Sequence, residues 1–415
     1  MIVHGFAGND LHPPVSGASQ RLMGLYRGLA RRHVTQVLAL VPNRHRGPDD
    51  QRVNGVRIRR HREWYTSPAW RLEQAGLLPM FAIALPGHRA RVDAMTQRLD
   101  GTPDVRIADL ALAGVLAKDD GALRVLHCHN VEYDHFRSAG PGVVARGWWA
   151  ERLREFEALA CAEADLVVTV SDQDAERMHE LYRIPRERLL AIPNGYDELQ
   201  LMPPTAEERR AARAALNLDD CACVALFIGS DVPHNRAGLR AILDAMPASG
   251  ADPIVLLVVG GVAHALTSAD RTRFAGDGRP RLIAVPETTD VKPYFHAADL
   301  GLNPVVGGGG SNVKLPSYLA AGLPVLTTPH GLRGYSDLEG AVMVADPSGF
   351  GAALARFCAM PAPPGRPAPA ALASYAWGTL GERLGAALEE RVRVRRPARA
   401  EPQAGAAPRV AEGRS

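Results

Sequence analysis

Lysine occurs at only three positions among the 48 basic side chains of this 415-residue chain, Lys118, Lys292 and Lys314. The last of these follows four consecutive glycines at 307–310 and the pair Ser311 and Asn312. A glycine run lets the backbone turn its N–H groups toward a ligand, and serine or asparagine before a helix caps it at its positive dipole end. Pro316 fits only in a first helical turn, and Gly322 followed by Pro324 stops the segment, so a helix must begin close to Lys314. Gly309, Gly310, Ser311, Asn312 and Lys314 thus compose an anion site of the kind that suits a phosphate. Four glycines alone would serve equally as a linker; the strand pattern before them and the capped helix after them favour the site.

A second strand-to-helix turn carries Gly229, Ser230, Asn235 and Arg236, again with glycine for close backbone approach and a helix-capping asparagine. Near the start, the loop at 13–21 (PPVSGASQR, with Gly17) opens a helix after the first strand. Neither loop has the GxGxxG spacing of a dinucleotide fold. At the end of another strand stands HCHNVEYD, 127–134. Polar groups at the carboxyl ends of parallel strands face the ligand crevice, and one of His127 and His129 is expected to point into it. A zinc reading of those histidines with Cys128 and Glu132 finds no complementary ligand cluster elsewhere, so no metal is expected.

These segments need a scaffold, and the chain supplies two series of short β-branched runs alternating with amphipathic stretches, an α/β pattern of parallel sheets covered by helices. The first series has strands at 2–6, 34–41, 53–59, 105–107, 125–128, 166–170 and 189–192, with helices at 20–31, 89–98, 146–163 and 172–182. The second has strands at 224–228, 254–259, 282–285, 300–303, 325–328 and 342–344, with helices at 235–246, 290–297, 313–321 and 350–360. Between them, IPNGYD at 192–197 and the prolines at 203 and 204 mark a hinge. The expected domains are 1–195, 196–372 with a Pro-rich connector from 361, a helix at 373–392, and a disordered Arg/Ala/Pro/Gly-rich tail at 393–415.

Composition sets the outer limits. Hydrophobic residues at 46% and charged residues at 22% belong to a globular chain, and a net charge of +3 gives no reason to expect nucleic acid. Five unpaired-looking cysteines read as reduced thiols, and the chain opens on a strand pattern with no leader, which places it in the cytoplasm. Arginines and aromatics at 57–65 and at Trp148 and Trp149 have the mixture that an anionic membrane surface favours; the other reading is a solvated face.

Taken in order, PPVSGASQR, HCHNVEYD, ADLVVTVSDQD (164–174), IPNGYD, FIGSDVPHN (227–235) and YFHAADLGLNPVVGGGGSNVKLPSYLAAGLPVLTT (294–328) resemble the family-four retaining glycosyltransferases of the GT-B fold. The likeness covers nearly the whole chain, from 13 to about 390. It implies two Rossmann-like domains facing a central cleft, the first for an acceptor and the second for a nucleotide-sugar, with the last helix crossing back onto the first. The activity implied is metal-independent, hexosyltransferase-like transfer from a UDP- or GDP-linked sugar, without a cofactor, to a glycan, lipid-linked or small-molecule hydroxyl. By position, His129, Asn130 and Glu132 would line the reacting sugar. Gly17, Gly229, Ser230, Asn235, Arg236 and the 309–314 stretch would hold the donor. Two glutamates eight positions apart, common in the family, are here Gly309 and Ser317. Ser317 offers a diol fewer hydrogen bonds than a carboxylate does. The alternative reading is a noncatalytic GT-B binding or scaffold protein.

Overall fold

The computed structural model describes residues 1–63, 68, 72, 92–138, 146–218, 223–246, 254–275, 280–286, 288–307, 312–360 and 372–395. The first sheet contains β1 (Ile2–Ala7), β2 (Val34–Pro42), β3 (Asp50–Val53), β4 (Val56–Glu63), β5 (Val105–Asp109), β6 (Leu123–His127), β7 (Leu166–Thr169) and β8 (Leu189–Ala191). Their spatial order is β3-β4-β2-β1-β5-β6-β7-β8, and only β3–β4 is antiparallel. The expected single strand at 53–59 is in fact that hairpin. Asn54 and Gly55 take φ of 49° and 85°, the positive angles a tight two-residue turn requires, so the chain reverses there instead of running on.

Helices α1 (Gly17–Ala30), α2 (Glu132–Ser138), α3 (Arg146–Glu163) and α4 (Asp172–Tyr182) accompany this sheet. Ser16 caps α1 in a reciprocal box with Ser19, which fixes where the 13–21 loop ends. Ser171 caps α4 through the Asp174 amide.

The second sheet is wholly parallel: β9 (Cys223–Ile228), β10 (Ile254–Val259), β11 (Arg281–Val285), β12 (Leu300–Asn303), β13 (Val325–Thr327) and β14 (Met343–Val344), in the order β11-β10-β9-β12-β13-β14. Strand β10, IVLLVV, is buried along its whole length because both faces of the sheet are covered. Its helices include α5 (Ala206–Ala215), α6 (Pro233–Ala245), α7 (Lys292–Ala297), α8 (Lys314–Ala320) and α9 (Phe350–Cys358). Helix α5 is absent from the sequence expectation, although Thr205 and Glu208 form a capping box that announces it.

The final helix α10 (Trp377–Arg395) lies on α1. Leu380, Leu384 and Leu388 join Leu22, Leu25 and Leu29 in the first domain's core. Gly28 and Gly381 let the two backbones touch: a Cβ on Gly381 would stand 2.5 Å from the Gly28 Cα. Arg393–Arg395, expected in the tail, belong to this helix, and Arg395 reaches the Asp165 carboxylate at 2.5 Å and so anchors its end. Residues 396–415 and the Pro-rich connector at 361–371 lie outside the described residues. The outward and returning crossings between domains pair with each other. Tyr196 N–H donates to the Tyr375 carbonyl (3.0 Å) and Trp377 N–H to the Tyr196 carbonyl (3.1 Å).

The described cysteines Cys128, Cys161, Cys223 and Cys358 are free. The arginines of β4 do not make a basic face. Arg57 and Arg59 pair with Asp50 and Asp100, Arg60 with Asp10 and Arg62 with Asp49. Trp64 and Tyr65 lie outside the described residues, and Trp148 is exposed with its ring edge-on to Trp149. No helix among the described residues is long and apolar enough to cross a membrane.

Candidate functional site

The carboxyl ends of β1, β5 and β6 converge on one mouth of the first domain. His127, the last residue of β6, is buried; its Nδ1 lies 3.1 Å from Asp109 Oδ1 and its Nε2 accepts from Arg21 Nε at 2.9 Å. An arginine can only donate, so Nε2 carries the lone pair and Nδ1 the proton. Burial, against the Asp109 hydrogen bond and with Arg21 nearby, pushes His127 down to about 3, so the ring is neutral. Asp109 is buried too. Burial would raise its carboxyl, but His129 and His127 hold it well below the usual carboxylate range. Its second oxygen accepts from Gly8 N–H at 3.2 Å and stands 3.6 Å from His129 Nε2.

His129 is the histidine that opens to the cleft, with 21% of its side chain exposed; β6 ends at His127, so the period-two rule that would put both rings on one face no longer applies. The rings of His127 and His129 meet edge to face at 4.8 Å. Asn130 Nδ2 donates to Glu132 Oε1 at 3.1 Å, so those two residues brace one another beside it. Behind them, buried Glu157 on α3 accepts from the Glu132 and Tyr133 amides (2.9 and 3.2 Å) and from the Tyr182 hydroxyl (2.5 Å). Burial pushes its carboxyl up to about 7 despite these donors.

Asp109, His127 and His129 are the acid–histidine group with metal-like spacing among the described residues. The donor set does not suit an ion. Both nitrogens of His127 are engaged: Nδ1 donates to Asp109, and the Nε2 lone pair accepts from the Arg21 guanidinium, which a cation would have to displace.

On the second domain, Gly229, Ser230, Asn235 and Lys314 come together. Lys314 Nζ donates to Asn235 Oδ1 at 2.5 Å, and Asn235 Nδ2 donates to the Ser230 carbonyl at 2.9 Å. Gly229 makes room for that amide: a Cβ there would lie 2.9 Å from Asn235 Nδ2. The Lys314 ammonium also sits over the Phe227 ring, 5.3 Å from its centroid, and burial pushes it down to about 8. His234, open at the cleft, lies within charge reach of Lys314 and of His135 from the first domain.

Asn312 accepts from the Lys314 amide at 3.0 Å and donates to Asn303 at 2.7 Å. Buried Asn303, at the end of β12, in turn donates to Thr327 Oγ1 and the Gly331 carbonyl, tying the loop to the next strand. Gly308, Gly309, Gly310 and Ser311 lie outside the described residues. Arg236 does not join the cluster; it is drawn to Asp231 at 2.6 Å, five residues back, and Arg240 is held by Asp270. Ser317 is turned onto its own helix, donating to the Val313 carbonyl at 3.0 Å.

The two halves meet. A Cβ on Gly17 would lie 3.3 Å from Val313 Cγ2, so the 13–21 loop abuts the start of α8. Buried Tyr335 places its hydroxyl between the carbonyls of Asn194 (3.1 Å) and Asn312 (2.9 Å), and Arg333 pairs with Asp174 across the domains. Arg21, Asp109, Glu157 and Tyr335 were not among the site residues expected from sequence. Each acts through a partner more than fifteen positions away, and no local spacing signals that.

Residues 16–195 match the glycosyl transferase 4-like domain model and residues 222–359 the glycosyl transferases group 1 model. A 102-residue stretch is 33% identical to D-inositol 3-phosphate glycosyltransferase of Rhodococcus erythropolis, covering 24% of this chain and 22% of that relative. Among solved structures, sucrose-phosphate synthase from Thermosynechococcus elongatus aligns over 96% of this chain and 100% of its own, at 16% identity and a TM-score of 0.66. The catalytic domain of starch synthase IV from Arabidopsis thaliana, bound to ADP and acarbose, aligns over 94% and 99% at 16% identity and a TM-score of 0.65. A trehalose-6-phosphate protein from E. coli bound with UDP-2-fluoro glucose aligns over 95% and 96% at 13% identity and a TM-score of 0.59. With both domain models in order along the chain and two parallel-sheet domains meeting at one cleft, the chain belongs to the group 1, glycosyltransferase 4-like glycosyltransferases and has the GT-B fold.

Proposed function

We propose that this glycosyltransferase moves a sugar from a nucleotide diphosphate sugar to an acceptor hydroxyl with retention at the anomeric carbon and without a metal ion. The observation that carries the reading is the juxtaposition itself. The His129 mouth of one domain faces the Gly229, Ser230, Asn235 and Lys314 cluster of the other, with Gly17 packed against Val313 between them. Breaking the bond from anomeric carbon to diphosphate leaves negative charge on phosphate oxygens. The Lys314 ammonium, held by Asn235 and short of water, is the cation placed to offset it. His129, with Asn130 and Glu132, would contact hydroxyls of the transferred sugar, and the incoming hydroxyl would approach from the first domain on the face the diphosphate leaves.

The nucleotides named with two of the structural neighbours, ADP and a UDP-sugar, support a nucleoside diphosphate donor, and by extension a UDP-, GDP- or ADP-linked one. The Ser317 hydroxyl, already donating to its own helix, can only accept from a ribose diol, which favours a donor site gripped mainly at the phosphates. A thermal-shift screen with UDP, GDP and ADP, followed by radiolabelled sugar transfer from the matching donor, tests the reading. Stabilisation by one nucleotide with transfer or hydrolysis of its sugar is expected. No binding, no hydrolysis and no transfer would leave the noncatalytic scaffold reading in its place.

A further inference from the structure

We propose that Arg21 is a positioning residue of this site: it holds His127 as the neutral Nδ1–H tautomer, and through His127 and Asp109 it sets the ring of His129 at the cleft. The inference rests on reading the cleft as the transfer site, and it concerns a side chain that touches neither sugar nor phosphate in that reading.

Arg21 is fully buried in α1, and its guanidinium divides its donors among three segments. Nε reaches His127 Nε2 at 2.9 Å, one terminal nitrogen reaches the Pro193 carbonyl (3.0 Å) and Asn194 Oδ1 (3.2 Å), and the other faces the Thr169 carbonyl at 3.4 Å. A guanidinium taken wholly out of water needs an anion or a full set of acceptors. Here the acceptors are the end of β7, the interdomain crossover and one imidazole. Asp109 lies on the far side of that imidazole, and Asp174 is also within charge reach of Arg21. Arg21, His127 and Asp109 therefore form a cation, a neutral ring and an anion in line. The ring's orientation and proton are dictated from both ends.

His127 takes Asp109 Oδ1, while Oδ2 accepts from Gly8 N–H and faces His129 Nε2. His127 is thus engaged at both nitrogens, and His129 is the histidine of the pair that is part exposed at the cleft. The same fork also reaches Asn194, whose carbonyl receives the Tyr335 hydroxyl that spans to Asn312. The charged and titratable groups facing His127 are Arg21 from α1, Asp109 from β5 and His129 beyond β6. No lysine could satisfy these directions at once, because a point-charge ammonium lacks the planar fork.

The test is long-range proton–nitrogen correlation NMR on the full chain labelled with ¹⁵N-histidine at pH 7, with His127 assigned by its loss in a His127→Gln variant. Wild type is expected to show His127 protonated at Nδ1 and unprotonated at Nε2. Arg21→Met removes both the donor to Nε2 and the cation that opposes an imidazolium, so His127 should keep its Nδ1 proton toward Asp109 and gain a second at Nε2, and Arg21→Lys should keep Nε2 unprotonated. A protonated His127 Nε2 in wild type, or an unprotonated one in Arg21→Met, overturns the proposal. Should Arg21→Met fail to fold, the wild-type spectrum and Arg21→Lys still decide it.

The second arm is hydrolysis of whichever of UDP-, GDP- and ADP-glucose the wild type cleaves. Arg21→Met should lower kcat at least tenfold with KM changed less than about twofold, and Arg21→Lys should recover part of kcat. An Arg21→Met enzyme with wild-type kcat, or one whose loss lies in KM alone, refutes the positioning role. If wild type cleaves none of them, the transfer reading fails, while the tautomer result still stands or falls by itself.

Discussion

Replacing Lys314 by methionine tests the donor-side cluster most directly, because its charge is conditional. Burial holds the ammonium down to about 8 against an ordinary value of 10.5, and among the described residues it donates to Asn235. For a base whose folded value is depressed, the folding penalty is complete below pH 8 and disappears above 10.5. Charging Lys314 therefore costs stability at neutral pH, and a bound diphosphate would relieve that cost by restoring the ordinary value. The arithmetic follows from linkage: binding should take up roughly 0.1 proton at pH 7, about 0.5 at pH 8 and about 0.9 at pH 9. Affinity should fall about tenfold between pH 7 and pH 9 as the neutral amine becomes the resting form.

A nucleotide-sugar is the right ligand, since its diphosphate does not titrate in this range. Isothermal titration calorimetry in buffers of different ionisation enthalpy reads the proton uptake and the affinity together. In Lys314→Met the affinity at pH 7 should drop by roughly 10- to 150-fold, the worth of a hydrogen bond to a charged group, and its pH dependence should vanish. Thermal stability should hold at pH 7, because relief of the buried charge offsets the lost Asn235 contact. Wild-type affinity that is flat from pH 7 to 9, with heats independent of buffer, would refute the placement of phosphate at Lys314.

Gly381→Ala drives a methyl into the backbone of Gly28 and should cost about 1–3 kcal/mol, read as an earlier urea midpoint; an unchanged midpoint would mean α1 and α10 separate freely. Glu157, raised to about 7, contributes stability that is complete below pH 4.5 and lost as pH rises through 7. Glu157→Gln should therefore flatten the difference between urea unfolding at pH 5 and pH 8, and an equally steep profile would place that titration elsewhere. At every pH the variant should also lose about 1–3 kcal/mol, because an amide cannot accept from both the Glu132 and Tyr133 N–H groups. Asn235→Ala leaves Lys314 without its partner and the 229–235 turn without its cross-brace, so weaker nucleotide-sugar binding is expected; unaltered binding would show that Asn235 only supports the turn.

Nearly all of the sheet framework was legible in sequence, because buried parallel strands are short apolar runs and each such run stands alone between turn residues. Residues 53–59 read as one strand, but Asn54 and Gly55 take positive φ and turn the chain into the β3–β4 hairpin. Helix α5 was missed because its polar faces hide its periodicity and only the Thr205 and Glu208 cap reveals it. At the site, Gly229, Ser230, Asn235 and Lys314 stand out by local chemistry, glycine where a backbone must approach and a cap where a helix starts, whereas the choice of His129 over His127 came from the family resemblance.

Sequence could not say which way a cation points. Arg236 follows the same turn as Asn235, yet the geometry hands it to Asp231, and the arginines of β4 that look like a basic face are neutralised by aspartates from β3 and neighbouring loops. Nor could it announce Arg21, whose acceptors lie on β6, β7 and the crossover, more than a hundred positions away. By itself, then, the chain determined its two-domain architecture and the residue types at each loop, because those depend on periodicity and on neighbours within a few positions. Only the tertiary structure decided which ionisable groups cancel and which remain directed at the cleft. Charge pairing and desolvation depend on distances in space that the order of residues does not encode locally.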